Sequence, residues 1–177
     1  DIKENWVTLS LNSKFHALLA TESIPEAIAY YRLLRKEMPT LKVTALFDPN
    51  IDNTGGQTFK EEGLIEVLEG YKEQFGKTYT MSTHAAFKQD VALRLAHKKP
   101  YNGKDFTKDK QIDLLIVVNQ MLTGFDSKWI NTLYVDKVME YENIIQAFSR
   151  TNRLFGPDKP FGVIRYYRYP NTMKRNI

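Results

Sequence analysis

Three side chains in one short segment could do chemistry together. In QAFSRTNR, Gln146, Arg150 and Arg153 stand at i, i+4 and i+7. On an α-helix that spacing puts all three on one face. Ile144, Ile145 and Phe148 can then pack toward a core, and Ser149 leaves room beside the arginines. Two guanidinium groups sharing a face repel each other unless an anion lies near. Guanidinium is also the cation whose planar fork best matches phosphate oxygens. The plainer reading pairs the arginines with acids such as Asp136, Glu140 or Glu142. For two arginines and a glutamine at this spacing, phosphate is the favoured reading.

A second segment, MLTGFDSKW, offers Thr123 as a phosphate donor. Gly124 would permit close backbone approach, and Asp126 would accept a ribose hydroxyl or orient an arginine. Taken alone it is an ordinary polar loop. A third, TES, places Thr21 and Ser23 at a helix start, where backbone amides suit phosphate.

Other patterns carry less. GKT at 76–78 resembles a P-loop ending, but the required glycine position holds Tyr71, with Gly70 one place off, so a turn between helices is expected. Asp113 with Asp126-Ser127-Lys128 mimics an acidic metal pattern, yet no second acid stands near, and no metal site is expected. His16, His84 and His97 lack metal-ligand spacing. The lysine-rich stretch HKKPYNGKDFTKDKQ, 97–111, reads as a solvated connector, with a phosphate-facing loop as the rival.

The elements that must position these groups follow from apolar patterning. KFHALLA (14–20), KVTALF (42–47), IDLLIVV (112–118), TLYVD (132–136) and FGVIRYY (161–167) read as strands. IDLLIVV, continuously apolar, is expected at the centre of the sheet. Between the first two strands, Ser23 and Glu26 have capping-box spacing around Pro25, and Pro39 ends the helix. Helices are also predicted near 61–75, 84–98 and 140–153, with a turn-rich loop at 48–60. Strand, helix, strand implies parallel pairing, so the fold class is α/β with a mostly parallel sheet. Ligands are then expected beyond the carboxyl ends of the strands. Residues 1–13 and 169–177 read as a linker and a tail, and 48–110 as a helical insertion packed outside the core.

The chain has 177 residues, 42% apolar and 26% charged, which fits one soluble domain. It has no run long and apolar enough to span a membrane and no secretory signal. With no cysteine it has neither disulfides nor thiolate metal sites, which suits a reducing cytoplasm. A net charge of +4 permits a nucleic-acid partner without requiring one. It opens on Asp1, which points to a piece of a longer chain.

Gln146, Arg150 and Arg153 with Gly124-Phe125-Asp126 resemble motifs VI and V of superfamily-2 helicase-like motors, from the second of two RecA-like lobes. Ser149 and Asn152 stand where that motif VI usually has glycines. KFHALLATESIPEAIAYY resembles motif IV. The phrases TGFD, NTLYVDK and QAFSRTNR narrow the resemblance to the motor (R) subunit of type I restriction enzymes, over about residues 14–168. The resemblance implies a RecA-like, P-loop NTPase-like three-layer domain within an ATP-dependent translocase of double-stranded DNA. It implies ATP and Mg²⁺ bound mainly by a first lobe, a nuclease domain on the same chain, and methyltransferase and specificity subunits as partners. Arg150 and Arg153 would act as arginine fingers and Gln146 would place the γ-phosphate or water. Asp126, with Gly124, would hold nucleotide; Thr21, Ser23 and Thr123 would touch DNA backbone. Without a P-loop or an Asp-Glu pair ending a strand, this piece alone is expected to be inactive. The alternatives are a lobe of an unwinding DNA or RNA helicase, and a non-enzymatic nucleic-acid-binding module.

Overall fold

A computed structural model of the chain describes residues 1–51, 55–118, 125, 127–139, 141–168 and 171, apart from the side chains at 141, 142, 144, 148 and 150. In chain order the elements are α1 (Ile2–Leu9), β1 (His16–Thr21), α2 (Ile24–Glu37), β2 (Val43–Leu46), α3 (Gln57–Phe75) and α4 (His84–Leu95). β3 (Leu114–Val118), β4 (Ile130–Asp136), α5 (Tyr141–Thr151) and β5 (Val163–Tyr166) complete it. The five strands form one sheet in the order β2-β3-β1-β4-β5, with every pairing parallel.

Every residue of β1, β2 and β3 is buried, which requires cover on both faces of the sheet. This is the α/β, RecA-like arrangement expected. The middle strand is β1, however; β3 is interior, one place to its side. Ser23 caps α2 and Pro25 sits in its first turn, as the sequence requires.

Two segments depart from expectation. Residues 1–13, read as a linker, contain α1, which buries Ile2 and Trp6 in the main core. The Trp6 indole donates to Ser13 Oγ at 3.0 Å, and Asn131 Nδ2 donates to the Leu9 carbonyl at 2.7 Å, pinning the helix end. The stretch read as an insertion is the crossover between neighbouring parallel strands β2 and β3. Its Leu64, Val67, Tyr71, Phe87 and Val91 belong to the common core. α3 lies close on α2: a Cβ at Gly63 would sit 2.2 Å from Ile28 Cδ1.

A buried ionic cluster ties this crossover to the connector after it. Asp90, 6% exposed, accepts from Tyr71 Oη at 2.6 Å, from Lys77 Nζ at 2.6 Å and from Tyr101 Oη. Arg94, 3% exposed, lies over the Phe75 and Tyr101 rings and donates to Tyr71 Oη at 3.0 Å and to the Lys110 carbonyl at 2.5 Å. Although burial opposes it, these donors hold the Asp90 carboxyl below the usual range. GKT resolves as expected: Gly76, φ +71°, ends α3 in the left-handed region, and Lys77 turns to Asp90.

Candidate functional site

Because all strands run parallel, the carboxyl ends of β1, β3 and β4 lie at one edge of the sheet. There Ser23 Oγ accepts from the Glu26 amide at 3.4 Å, and the Glu26 carboxylate accepts from the Glu22 amide at 3.1 Å. Ser23 is half-buried. Thr21 corrects the expectation of a DNA contact. It has no exposed surface, and its hydroxyl is within reach of the carbonyls of Ser23 (3.3 Å) and Val117 (3.4 Å). As the last residue of a central strand, its side chain closes the turn and does not face solvent.

This edge is also acidic. The Arg168 guanidinium reaches Glu22 at 2.5 Å, Glu26 at 2.8 Å and Asp136 at 3.3 Å. Tyr30 Oη donates to Asp136 at 2.7 Å; burial and then that carboxylate push its pKa well above the usual phenol value. Burial pushes the Lys137 ammonium down, opposed by Glu22. Sequence reading missed this network. Its one signal was an arginine directly after the last strand, with acids after the first and at the end of the fourth. Asp136, expected as a possible partner of the motif arginines, is engaged with Tyr30 and Arg168.

α5 leaves β4 at this edge and runs back toward the opposite one. Gln146 is exposed, Ser149 is exposed with its hydroxyl donating to the Gln146 carbonyl at 2.6 Å, and Ala147 is buried. Ile145, expected to pack inward, is 50% exposed, so the outer face of α5 is broader and more apolar than the polar triad alone. The helix ends tightly: Thr151 is 1% exposed, and a Cβ on Gly162 would sit 2.3 Å from its carbonyl oxygen.

Arg153, exposed, follows at the amino side of the sheet. Its neighbour Lys159 is 1% exposed and donates to the carbonyls of Lys128 (3.1 Å) and Ile130, where β4 begins. Burial and the Arg153 charge push the Lys159 ammonium down to about 8. The structure therefore separates the expected site residues. Ser23 lies at the carboxyl edge, Gln146 along α5, and Arg153 toward the amino edge. Thr123, Gly124 and Asp126 lie outside the described residues, as does the Arg150 side chain, whose backbone is helical in α5.

The acidic metal mimic is not assembled by its described members. Asp113 Oδ2 accepts from the Lys42 amide at 2.8 Å, and burial pushes its carboxyl up. Lys128 Nζ lies 4.9 Å over the Phe155 ring. A histidine pair was also missed: His16 Nε2 and His97 Nε2 are 2.7 Å apart, with His97 stacked on Trp129 at 4.0 Å. Burial, then the His97 charge, lowers the His16 pKa to about 3; burial, then Lys128, lowers that of His97 to about 4. Both rings are neutral near pH 7 and act as packing.

Residues 13–169 match the family described as Type I restriction enzyme subunit R domain 3. A type I restriction enzyme endonuclease subunit of Staphylococcus aureus (strain MRSA252) is 38% identical over 165 residues, 89% of this chain and 17% of that protein. One from Staphylococcus saprophyticus is 38% identical over 177 residues, 94% of this chain and 18% of that protein. A putative type I endonuclease subunit (N-terminal part) of Mycoplasma pneumoniae is 57% identical over 47 residues, 27% of this chain and 12% of that protein. The chain spans less than a fifth of the two staphylococcal relatives. With the match covering nearly its whole length, the chain belongs to the type I restriction enzyme subunit R domain 3 family.

Proposed function

We propose that the chain is the second motor lobe of an ATP-dependent translocase of double-stranded DNA within a type I restriction enzyme. The observation that carries this reading is the outer face of α5. It keeps Gln146 and Ser149 in solvent while Ala147 is buried, on a helix whose sequence also places Arg150 on the Gln146 side, with Arg153 exposed just past its end. A solvated polar face is ordinary for a surface helix; what favours phosphate here is the two arginines that accompany Gln146.

In this reading ATP and Mg²⁺ are bound mainly by a first RecA-like lobe of the same polypeptide. Arg150 and Arg153 reach across to the β- and γ-phosphates and stabilise the charge that develops in transfer. Gln146 places the γ-phosphate or the attacking water. Gly124 and Asp126 approach the nucleotide, and Ser23 and Thr123 meet the DNA backbone, which carries no sequence information. The methyltransferase and specificity subunits supply site recognition, and a nuclease domain of the parent chain cuts. Such a machine works in the cytoplasm.

Triplex displacement by the assembled parent enzyme tests this reading. Wild type should displace a third strand in an ATP-dependent way without separating duplex strands, and Arg150→Ala should not. Strand separation with no triplex displacement would instead favour an unwinding helicase lobe. The 177-residue chain alone should show no DNA-stimulated ATP turnover. Measurable turnover would overturn the division of labour between lobes.

A further inference from the structure

The amino edge of the sheet, toward which Arg153 also lies, carries a row of lysines to which the proposed function assigns no role. Four adjacent parallel strands are each preceded by lysine: Lys42 before β2, Lys108 and Lys110 before β3, Lys14 before β1, and Lys128 before β4. Parallel pairing brings all of them to one edge, in a row about 14 Å long at a strand spacing of about 4.8 Å. The lysine-rich connector supplies part of this row. Between His97 and Gln111 it holds five lysines against Asp105 and Asp109, a local excess of +3 in a chain of net +4.

The row borders a cleft of about 490 Å³ whose lining includes Lys14, Lys108, Lys128, Phe106, Gln111 and Trp129 and, among the described residues, no carboxylate. Lys108 and Lys128 are exposed and Lys14 half-buried. Lys14 meets Asp158 and Lys108 the Asn12 carbonyl, both surface contacts that an incoming anion would compete with. The fold holds the cleft open from behind. Arg94 binds the Lys110 carbonyl, and the stacked His97 and Trp129 line the cleft, with His16 in contact with His97 behind them.

We propose that this cleft and its lysine row form a second contact surface for the phosphodiester backbone of duplex DNA, at the edge of the sheet opposite Ser23. Lysine ammonium groups bind phosphate as point charges without reading sequence. Duplex DNA offers a charge for about every 1.7 Å of axis, so a 14 Å row can meet several phosphates. An unstacked single strand is a poorer match. Trp129 is already stacked on His97 and contacted by Phe155, and Phe106 meets His97 edge-on, so the aromatic surface serves the protein's own packing. The choice of DNA as the polyanion rests on the proposed function; the cleft itself does not.

The test is the salt dependence of duplex binding by the full parent subunit carrying Lys14→Gln, Lys108→Gln and Lys128→Gln together. The slope of log Kd against log salt should fall by roughly 2 to 3, about 0.9 per lost phosphate contact. Affinity at low salt should drop roughly tenfold or more. The Lys→Arg triple, which keeps the charge, should retain the slope, and a control triple (Lys3→Gln, Lys36→Gln, Lys72→Gln) should leave it unchanged. An unchanged slope in the first variant, an equal loss in the control, or a loss in the Arg triple would each overturn the proposal. So would weakened ATP binding with duplex binding intact, which would assign the cleft to nucleotide. Arg153→Ala separates the two readings. It should abolish turnover and keep the slope; turnover retained there, with the lysine slope lost, would sink the motor reading and leave this one standing.

Discussion

The two edges of the sheet are built from the same five strands and have opposite character. At the carboxyl edge, acids after β1 and at the end of β4 are tied to Arg168 and Tyr30, so its described charges are satisfied internally. At the amino edge, lysines precede four successive strands, and Lys14, Lys108 and Lys128 line an open cleft. In an open parallel sheet the carboxyl edge is where ligands are first sought. Here that edge is partly closed by its own ion pairs, and α5 carries Arg153 away from it. The polar end of a strand therefore does not define a site by topology alone. What counts is whether its charges already have partners.

The comparison can be broken first where the amino edge is braced. Asp90→Ala would leave Arg94 buried beside two phenols without its carboxylate. A loss of about 3–5 kcal/mol is expected in denaturant unfolding of this domain. A loss below about 1 kcal/mol would mean that the cluster does not anchor the connector.

The histidine pair of the same edge gives a pH signature. The folded-state pKa of His16 is about 3 against 6.5 for the free side chain, so the unfolded chain binds the extra proton. Stability from this group is full above pH 6.5 and falls as pH drops through the window down to about 3. The slope should approach about 1.4 kcal/mol per pH unit for the fully buried ring. His16→Gln should flatten the decline of Tm between pH 6.5 and 4.5 relative to wild type. Parallel declines would contradict a buried neutral pair.

At the junction of α5 with β5, Gly162→Ala forces a methyl against the Thr151 backbone carbonyl. A loss of about 1–3 kcal/mol is expected, again from the unfolding midpoint. Tolerance would show that the helix end can give. The smallest effect should come from the carboxyl edge. Arg168→Ala removes three partly exposed ion pairs and should cost on the order of 1 kcal/mol, lessened by high salt. A much larger loss would make that edge a structural keystone rather than a trimmed surface.

The sequence was most legible where local chemistry and tertiary context agree. Ser23, Pro25 and Glu26 announce the start of α2, and the unbroken apolar run of β3 announces an interior strand. The five-strand α/β fold follows from such signals. It was least legible where few residues carry the burial. α1 anchors mainly through Ile2 and Trp6, with Leu9 partly buried, too little apolar pattern to separate from a linker. Asp90 and Arg94, four apart, resemble an exposed helical ion pair, and only the fold shows that Tyr71 and Tyr101 enclose them. At the site, the apolar pattern around Gln146 announced a helix, which ends at Thr151, two residues before Arg153. It could not show that Ile145 faces out, nor that Thr21 turns inward, since both depend on neighbours distant in sequence. The lysine row was invisible for the same reason: its members are scattered from residue 14 to residue 128 and meet only through sheet order.

The central claim is that the face of α5 completes an ATP site across a cleft. DNA-stimulated ATP hydrolysis by the parent chain, wild type against Arg153→Ala, tests it most directly. A fall of ~10³–10⁵ in turnover, with ATP binding largely kept, is the predicted result. An unchanged rate would contradict the claim and make Arg153 a structural residue at the amino edge of the sheet.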